Sequence, residues 1–197
     1  PRRELAGVLD AANVDLKAFT NDFYHRVCGG ALQPVLDTIE YLVHDTDVWV
    51  ELTTLLIPGL NDSDDELDRM TRWVVDNLGP DVPMHFTAFH PDFKMLDRNP
   101  TPAATLTRAR RIAIDNGVNH AYTGNVHDPD GQSTTCVQCG STLISRDGYR
   151  LGRWNLTDDG RCNGCGTSLA GVINGPPGNW GSRRQPVKMS APGRTRP

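Results

Sequence analysis

No apolar run in this 197-residue chain approaches the ~20 residues that a membrane-spanning helix needs. A secretory signal is missing as well, because Pro1-Arg2-Arg3-Glu4 is not followed by an apolar segment. The default expectation is a cytoplasmic protein. In that reducing setting, paired cysteines read as metal ligands before they read as disulfides. No Met opens the chain, and a strand-like segment starts almost at once. The expectation is therefore a chain whose N-terminal part is missing. Acidic residues are absent from Gly175 onward, where Arg183, Arg184, Lys188, Arg194 and Arg196 stand among Gly, Pro and Ser. With no hydrophobic periodicity, residues 175–197 read as a disordered basic tail.

What is present is ordinary globular material. Hydrophobic residues make up 38% and charged residues 22%, enough for one domain and a small addition. Net charge is −4, and the five basic residues of the tail leave −9 for residues 1–174. An acidic body disfavours a nucleic-acid surface there.

Four of the five cysteines form two matching knuckles, Cys136-Val137-Gln138-Cys139-Gly140 and Cys162-Asn163-Gly164-Cys165-Gly166. Two residues between thiolates let both sulfurs reach one ion from a tight turn. The following glycine permits a positive φ. The intervening length fits a four-cysteine zinc site. The reading is one tetrahedral metal centre in a ribbon over residues 131–174, with structural zinc first, rubredoxin-like iron second, and two disulfides as the weak alternative. The ribbon's apolar residues are few: Leu143, Ile144, Tyr149, Leu151, Trp154 and Leu156. Metal binding must then supply most of its folding free energy. Cys28 stands alone and reads as a small packed residue.

Upstream, elements alternate. Residues 13–18, 47–57, 82–90 and 120–123 read as strands. Helices are predicted at residues 32–44, from Ser63 to Leu78, and from Thr101-Pro102 to about Asn116. Pro34 suits a first helical turn, Ser63 with Glu66 spells a capping box, and Gly79-Pro80 is a stop. Four strands alternating with helices predict an α/β fold with a parallel sheet, open or barrel-shaped. The strands are polar on one face: Asn13, Asp15 and Lys17; Glu51 and Thr53; His85 and Thr87. These are either strand ends near solvent or the lining of a cavity inside a barrel.

Several segments in this order carry a family likeness: Asp10 to Phe19 with Asp15 and Lys17; Leu56-Ile57-Pro58-Gly59-Leu60-Asn61-Asp62; His85-Phe86-Thr87-Ala88-Phe89-His90-Pro91; Tyr122-Thr123-Gly124-Asn125-Val126-His127-Asp128; and the double-knuckle ribbon. Together they resemble pyruvate formate-lyase activating enzymes, and in particular the radical S-adenosylmethionine (SAM) enzyme of the AmmeMemoRadiSam system. The resemblance implies a partial (β/α) barrel over residues 1–130, a 4Fe–4S cluster and SAM. It would put Asp15 and Lys17 by the methionine end of SAM and His90 by the adenosine. A same-face salt bridge for Asp15 and Lys17, and a loop role for His90, are the plainer alternatives. Asn125, His127 and Asp128 read as a polar turn at the edge of the same cavity.

The family holds its cluster with Cys-x-x-x-Cys-x-x-Cys, which this chain lacks. The resemblance therefore implies the C-terminal half of such an enzyme, inactive alone, with its missing N-terminal half as first partner and an unknown substrate, a protein of the same system being one option. Two other readings stand beside it. One is a zinc-ribbon binding module on an α/β scaffold, recognising protein or nucleic acid. The other is a metal-independent barrel enzyme acting through Glu51, His85 or Asp15, which no spacing pairs.

Overall fold

The computed structural model describes residues 2–178. The predicted tail lies outside the described residues from position 179 onward. A short helix α1 (Arg2–Ala6) precedes strand β1 (Ala11–Asp15). A single turn α2 (Asn21–Phe23) then widens into a π-turn over Tyr24–Cys28. From there strands and helices alternate: α3 (Gln33–His44), β2 (Trp49–Leu56), α4 (Asp64–Leu78), β3 (Met84–Ala88), α5 (Ala103–Asp115) and β4 (Ala121–Gly124).

The four strands form one parallel sheet in the order β1-β2-β3-β4. Sequential order with right-handed crossovers places the connecting helices on one face of the sheet. This is the arrangement of a barrel segment, one of the two forms that the alternation allows. The helix-covered face is apolar. Val50, Leu52, Leu56, Met84, Phe86 and Ala121 pack there with Ile39 of α3, Met70 and Val74 of α4, and Leu106 and Ala109 of α5. Burying such side chains contributes about 1.5–3 kcal/mol each. The opposite face carries Asn13, Asp15, Glu51, Thr53, His85 and Tyr122, all half-buried or exposed. Register sets Asp15, Thr53, His85 and Tyr122 in one row across the sheet. Among the described residues, β1 is an edge strand paired only with β2.

Local signals largely behave as read. Gly79 follows α4 at φ 91°. Ser63 Oγ accepts the Glu66 N–H at 3.3 Å, so half of the expected capping box is present. The other half is not. Glu66 is buried, and its carboxylate accepts the Phe19 N–H at 2.6 Å, across to the segment that leaves β1. The first strand is also shorter than its alternation suggests. Its ladder ends at Asp15, because the Leu16 carbonyl accepts Thr54 Oγ1 at 2.8 Å and the Lys17 carbonyl accepts Asn61 Nδ2 at 2.6 Å.

After β4 comes the turn α6 (Pro129–Gln132), then a second, antiparallel sheet of β5 (Thr134–Thr135), β6 (Thr142–Asp147) and β7 (Arg150–Trp154). Its own core is small: Leu143, Ile144, Leu156, Cys136 and Cys162, with Trp154 and Leu169 partly buried. Tyr149 and Leu151, expected among its apolar residues, are exposed instead, because they lie at the hairpin end. Among the described residues, no helix is long and apolar enough to cross a membrane.

Candidate functional site

The metal centre is built from two copies of one backbone device. In each knuckle the glycine N–H donates to the first cysteine's carbonyl, Gly140 to Cys136 at 2.9 Å and Gly166 to Cys162 at 2.8 Å. Each first cysteine N–H then donates to the residue after the glycine, Cys136 to Ser141 O and Cys162 to Thr167 O, both at 2.8 Å. Gly140 and Gly166 take φ of 70° and 76°, the left-handed region that a side chain would strain.

This brings all four Sγ atoms within 4.8 Å of one another. Cys136 and Cys165 stand 3.5 Å apart, and Cys139 and Cys162 3.7 Å. A tetrahedron with metal–sulfur bonds of about 2.3 Å has edges of about 3.8 Å, whereas a disulfide needs about 2.05 Å. The donor set therefore fits one tetrahedral ion, and all five cysteines are free thiols.

The thiols differ in environment. Burial pushes Cys136 up to about 11, while contact with Ser141 draws exposed Cys139 down to about 6. Thr167 lowers Cys165 in the same way. A cation at the centre favours the thiolate at every position.

The second arrangement lies at the C-terminal end of β1. Lys17 Nζ and Asp15 Oδ1 form an ion pair at 3.0 Å, both partly exposed. Four buried polar side chains clip the chain around them. Asn61, fully buried, donates to the carbonyls of Lys17 and Leu55 and accepts the Ile57 N–H at 2.7 Å. Thr101 donates to Leu56 O and accepts the Phe89 N–H. Thr54 and Glu66 complete the set. Burial raises the Glu66 carboxyl above the usual carboxylate range, against the opposing Phe19 N–H. The resemblance expects His90 near this end. It is exposed two residues past β3, with no hydrogen bond or ion pair among the described residues.

Cys28 is exposed at the end of the π-turn, not packed as expected. The turn closes through Gly29 at φ 69°.

A third cluster was invisible to sequence spacing. His85 Nε2 and Glu51 Oε2 lie 2.7 Å apart on the polar face of the sheet, and Glu51 Oε1 accepts Trp49 Nε1 at 3.1 Å. The contact with His85 holds the Glu51 carboxyl below its usual range despite partial burial. Tyr122 stacks on His85 at 5.1 Å between ring centroids. Its hydroxyl meets Thr134 Oγ1 of the ribbon at 2.9 Å, and Arg146 Nη1 donates to that same oxygen at 2.6 Å.

The ribbon hairpin thus forms one wall of a cleft of about 760 Å³ over Glu51, His85 and Tyr122. The turn after β4 supplies the rim. Asn125, at φ 59°, donates to Ala88 O, and His127 sits 3.4 Å from Asp147. Asp128 serves structure, accepting from Thr123 Oγ1 and capping α6 at Gly131 N.

No protein-family model matches the chain. The chain is 41% identical over 166 residues to the uncharacterized protein MJ0808 of Methanocaldococcus jannaschii. That match covers 84% of this chain and 49% of the relative, so the chain spans about half the relative's length. Among solved structures, it is similar to a domain of a pyruvate-formate lyase-activating enzyme from Bacteroides vulgatus. The TM-score is 0.55 at 15% identity, covering 63% of this chain and 73% of that one. At that identity the similarity speaks for the fold: a parallel α/β segment of the kind seen in that domain.

Proposed function

We propose that this chain is the C-terminal part of a radical SAM enzyme of the activating-enzyme type, the kind found in the AmmeMemoRadiSam system. The observation that carries the reading is the pre-organised Asp15–Lys17 pair at the C-terminal end of the first strand. It sits in a fold similar to a domain of a pyruvate-formate lyase-activating enzyme. In α/β barrels that end of the sheet is where chemistry is placed. An ammonium and a carboxylate side by side match the carboxylate and amino groups of a methionine moiety. Lys17 would take the carboxylate of SAM and Asp15 its amino group, with His90 toward the adenosine.

Bound together, SAM and a reduced 4Fe–4S cluster supply a deoxyadenosyl radical that abstracts a hydrogen atom. The residues of this chain do not fit the cluster. Four cysteines converge on the ribbon centre, and Cys28 alone cannot supply a triplet. The cluster ligands therefore belong to a preceding segment, which would add strands beside the open edge of β1. The chain alone is inactive. The ribbon centre holds zinc in a structural role. The charge of −9 on residues 1–174 argues against a nucleic-acid substrate.

Anaerobic iron–sulfide reconstitution of the longer polypeptide tests this reading. The expected result is a brown protein with about four irons beyond the ribbon metal. A colourless protein that binds only zinc would overturn it in favour of the ribbon as a protein-binding module.

A further inference from the structure

The cleft between the parallel sheet and the ribbon contains a guanidinium with no carboxylate at ion-pair distance among the described residues; its charge reaches Glu51 only through the field. Arg146, half-buried on β6, uses Nη1 on the Thr134 hydroxyl and the Gln132 carbonyl and lies 5.8 Å from the Tyr122 ring centroid. Among the described residues it makes no ion pair. Two carboxylates border the cleft, and Glu51 is the one fully engaged. Glu51 spends one oxygen on Trp49 and the other on His85, and Asp147 stands against His127. Tyr122 and Thr134 hold the guanidinium in place from below, which fixes its fork before any ligand arrives. A planar, pre-positioned guanidinium whose Nε and Nη2 edge is left over from these contacts is the donor set for a bidentate oxyanion. A volume of about 760 Å³ is that of a small-molecule site.

We propose that this cleft binds a small ligand through an anionic oxygen group, a carboxylate or a phosphate, held by Arg146, with the stacked His85 and Tyr122 rings lining the cleft. The proposal goes beyond the SAM reading and does not depend on it. The ribbon then does more than carry a metal: its hairpin delivers the residue that recognises the ligand. Its metal site and its binding residue lie at opposite ends of one strand pair.

The test is an NMR titration of the metal-loaded chain, following the Arg146 Nε–H and His85 imidazole signals. Malonate and inorganic phosphate are the two probes, and chloride at equal ionic strength is the control. The expected result is a saturable shift confined to the cleft with one or both probes. R146Q keeps a donor for Thr134 but loses the fork, and it should weaken binding about tenfold or more, consistent with the loss of a charge-assisted hydrogen bond. R146K serves as the second variant if the glutamine form loses its melting transition, and should also weaken the tighter probe. Tighter binding of malonate assigns a carboxylate ligand, and of phosphate a phosphate ester. Shifts that do not saturate, that chloride reproduces, or that persist unchanged in both variants would overturn the proposal.

Discussion

Glu66 shows how a single side chain can serve geometry at a cost. Its carboxylate is buried at the start of α4 and fixes the Phe19 N–H at 2.6 Å, which shapes the exit from β1 beside Lys17. Burial raises its pKa, so the charged form is disfavoured in the folded chain. The folded value lies above the unfolded value near 4.3. Its favourable contribution is therefore complete below that pH and is lost as pH rises through the folded pKa. Glutamine keeps the accepting oxygen without the charge. E66Q is expected to raise the melting temperature by about 2–4 °C at pH 7, equivalent to about 1 kcal/mol for a chain of this size. The gain should shrink at pH 4. Thermal scans of both proteins at the two pH values check it; a gain as large at pH 4 would show that charge burial is not the cause.

At the scale of elements, the ribbon and the parallel sheet are stabilised differently. The sheet has a continuous apolar core shared by three helices, whereas the ribbon buries three aliphatic residues and two ligand cysteines. Structural zinc supplies about 10–16 kcal/mol in comparable small sites. A strong chelator should therefore unfold residues 134–170 first, exposing them to protease while the helices of the sheet persist. A proteolysis pattern and circular dichroism spectrum unmoved by chelation would contradict this.

The same division explains what the sequence revealed. The helices, the parallel strands and the metal ligands rest on local signals: apolar periodicity, Pro34, Ser63, Gly79 and the paired knuckles. The end of β1 does not. The Val14-Leu16-Ala18 alternation looks like strand throughout. Thr54 and Asn61, some forty residues away, take the backbone groups that would have continued it. The Glu51–His85 pair likewise depends on the register of β2 against β3, which no spacing within either strand encodes. Arg146 reaches the cleft from a different sheet altogether. Its only trace in the sequence is a positive charge in a hairpin.

Seen as a whole, the molecule places three arrangements along one polar face of the sheet. The Asp15–Lys17 pair lies at the end of β1, the Glu51–His85–Tyr122 cluster lies along and next to the same row of the sheet, and the ribbon closes the side next to β4. Buried clips at Asn61, Thr101 and Glu66 hold the first in position before any ligand binds, which lowers the ordering cost of recognition. Among the described residues β1 has an open edge, whose backbone groups an added strand would pair. In the proposed function Lys17 would grip the carboxylate of SAM. The most direct measurement is 5′-deoxyadenosine released from SAM by the reconstituted longer polypeptide, compared with its K17M variant across SAM concentrations. The expected result is product from the parent protein and a SAM requirement at least about tenfold higher in K17M, as for a lost charge-assisted contact. No product from a protein carrying its full cluster, or a K17M variant with an unchanged SAM requirement, would contradict it.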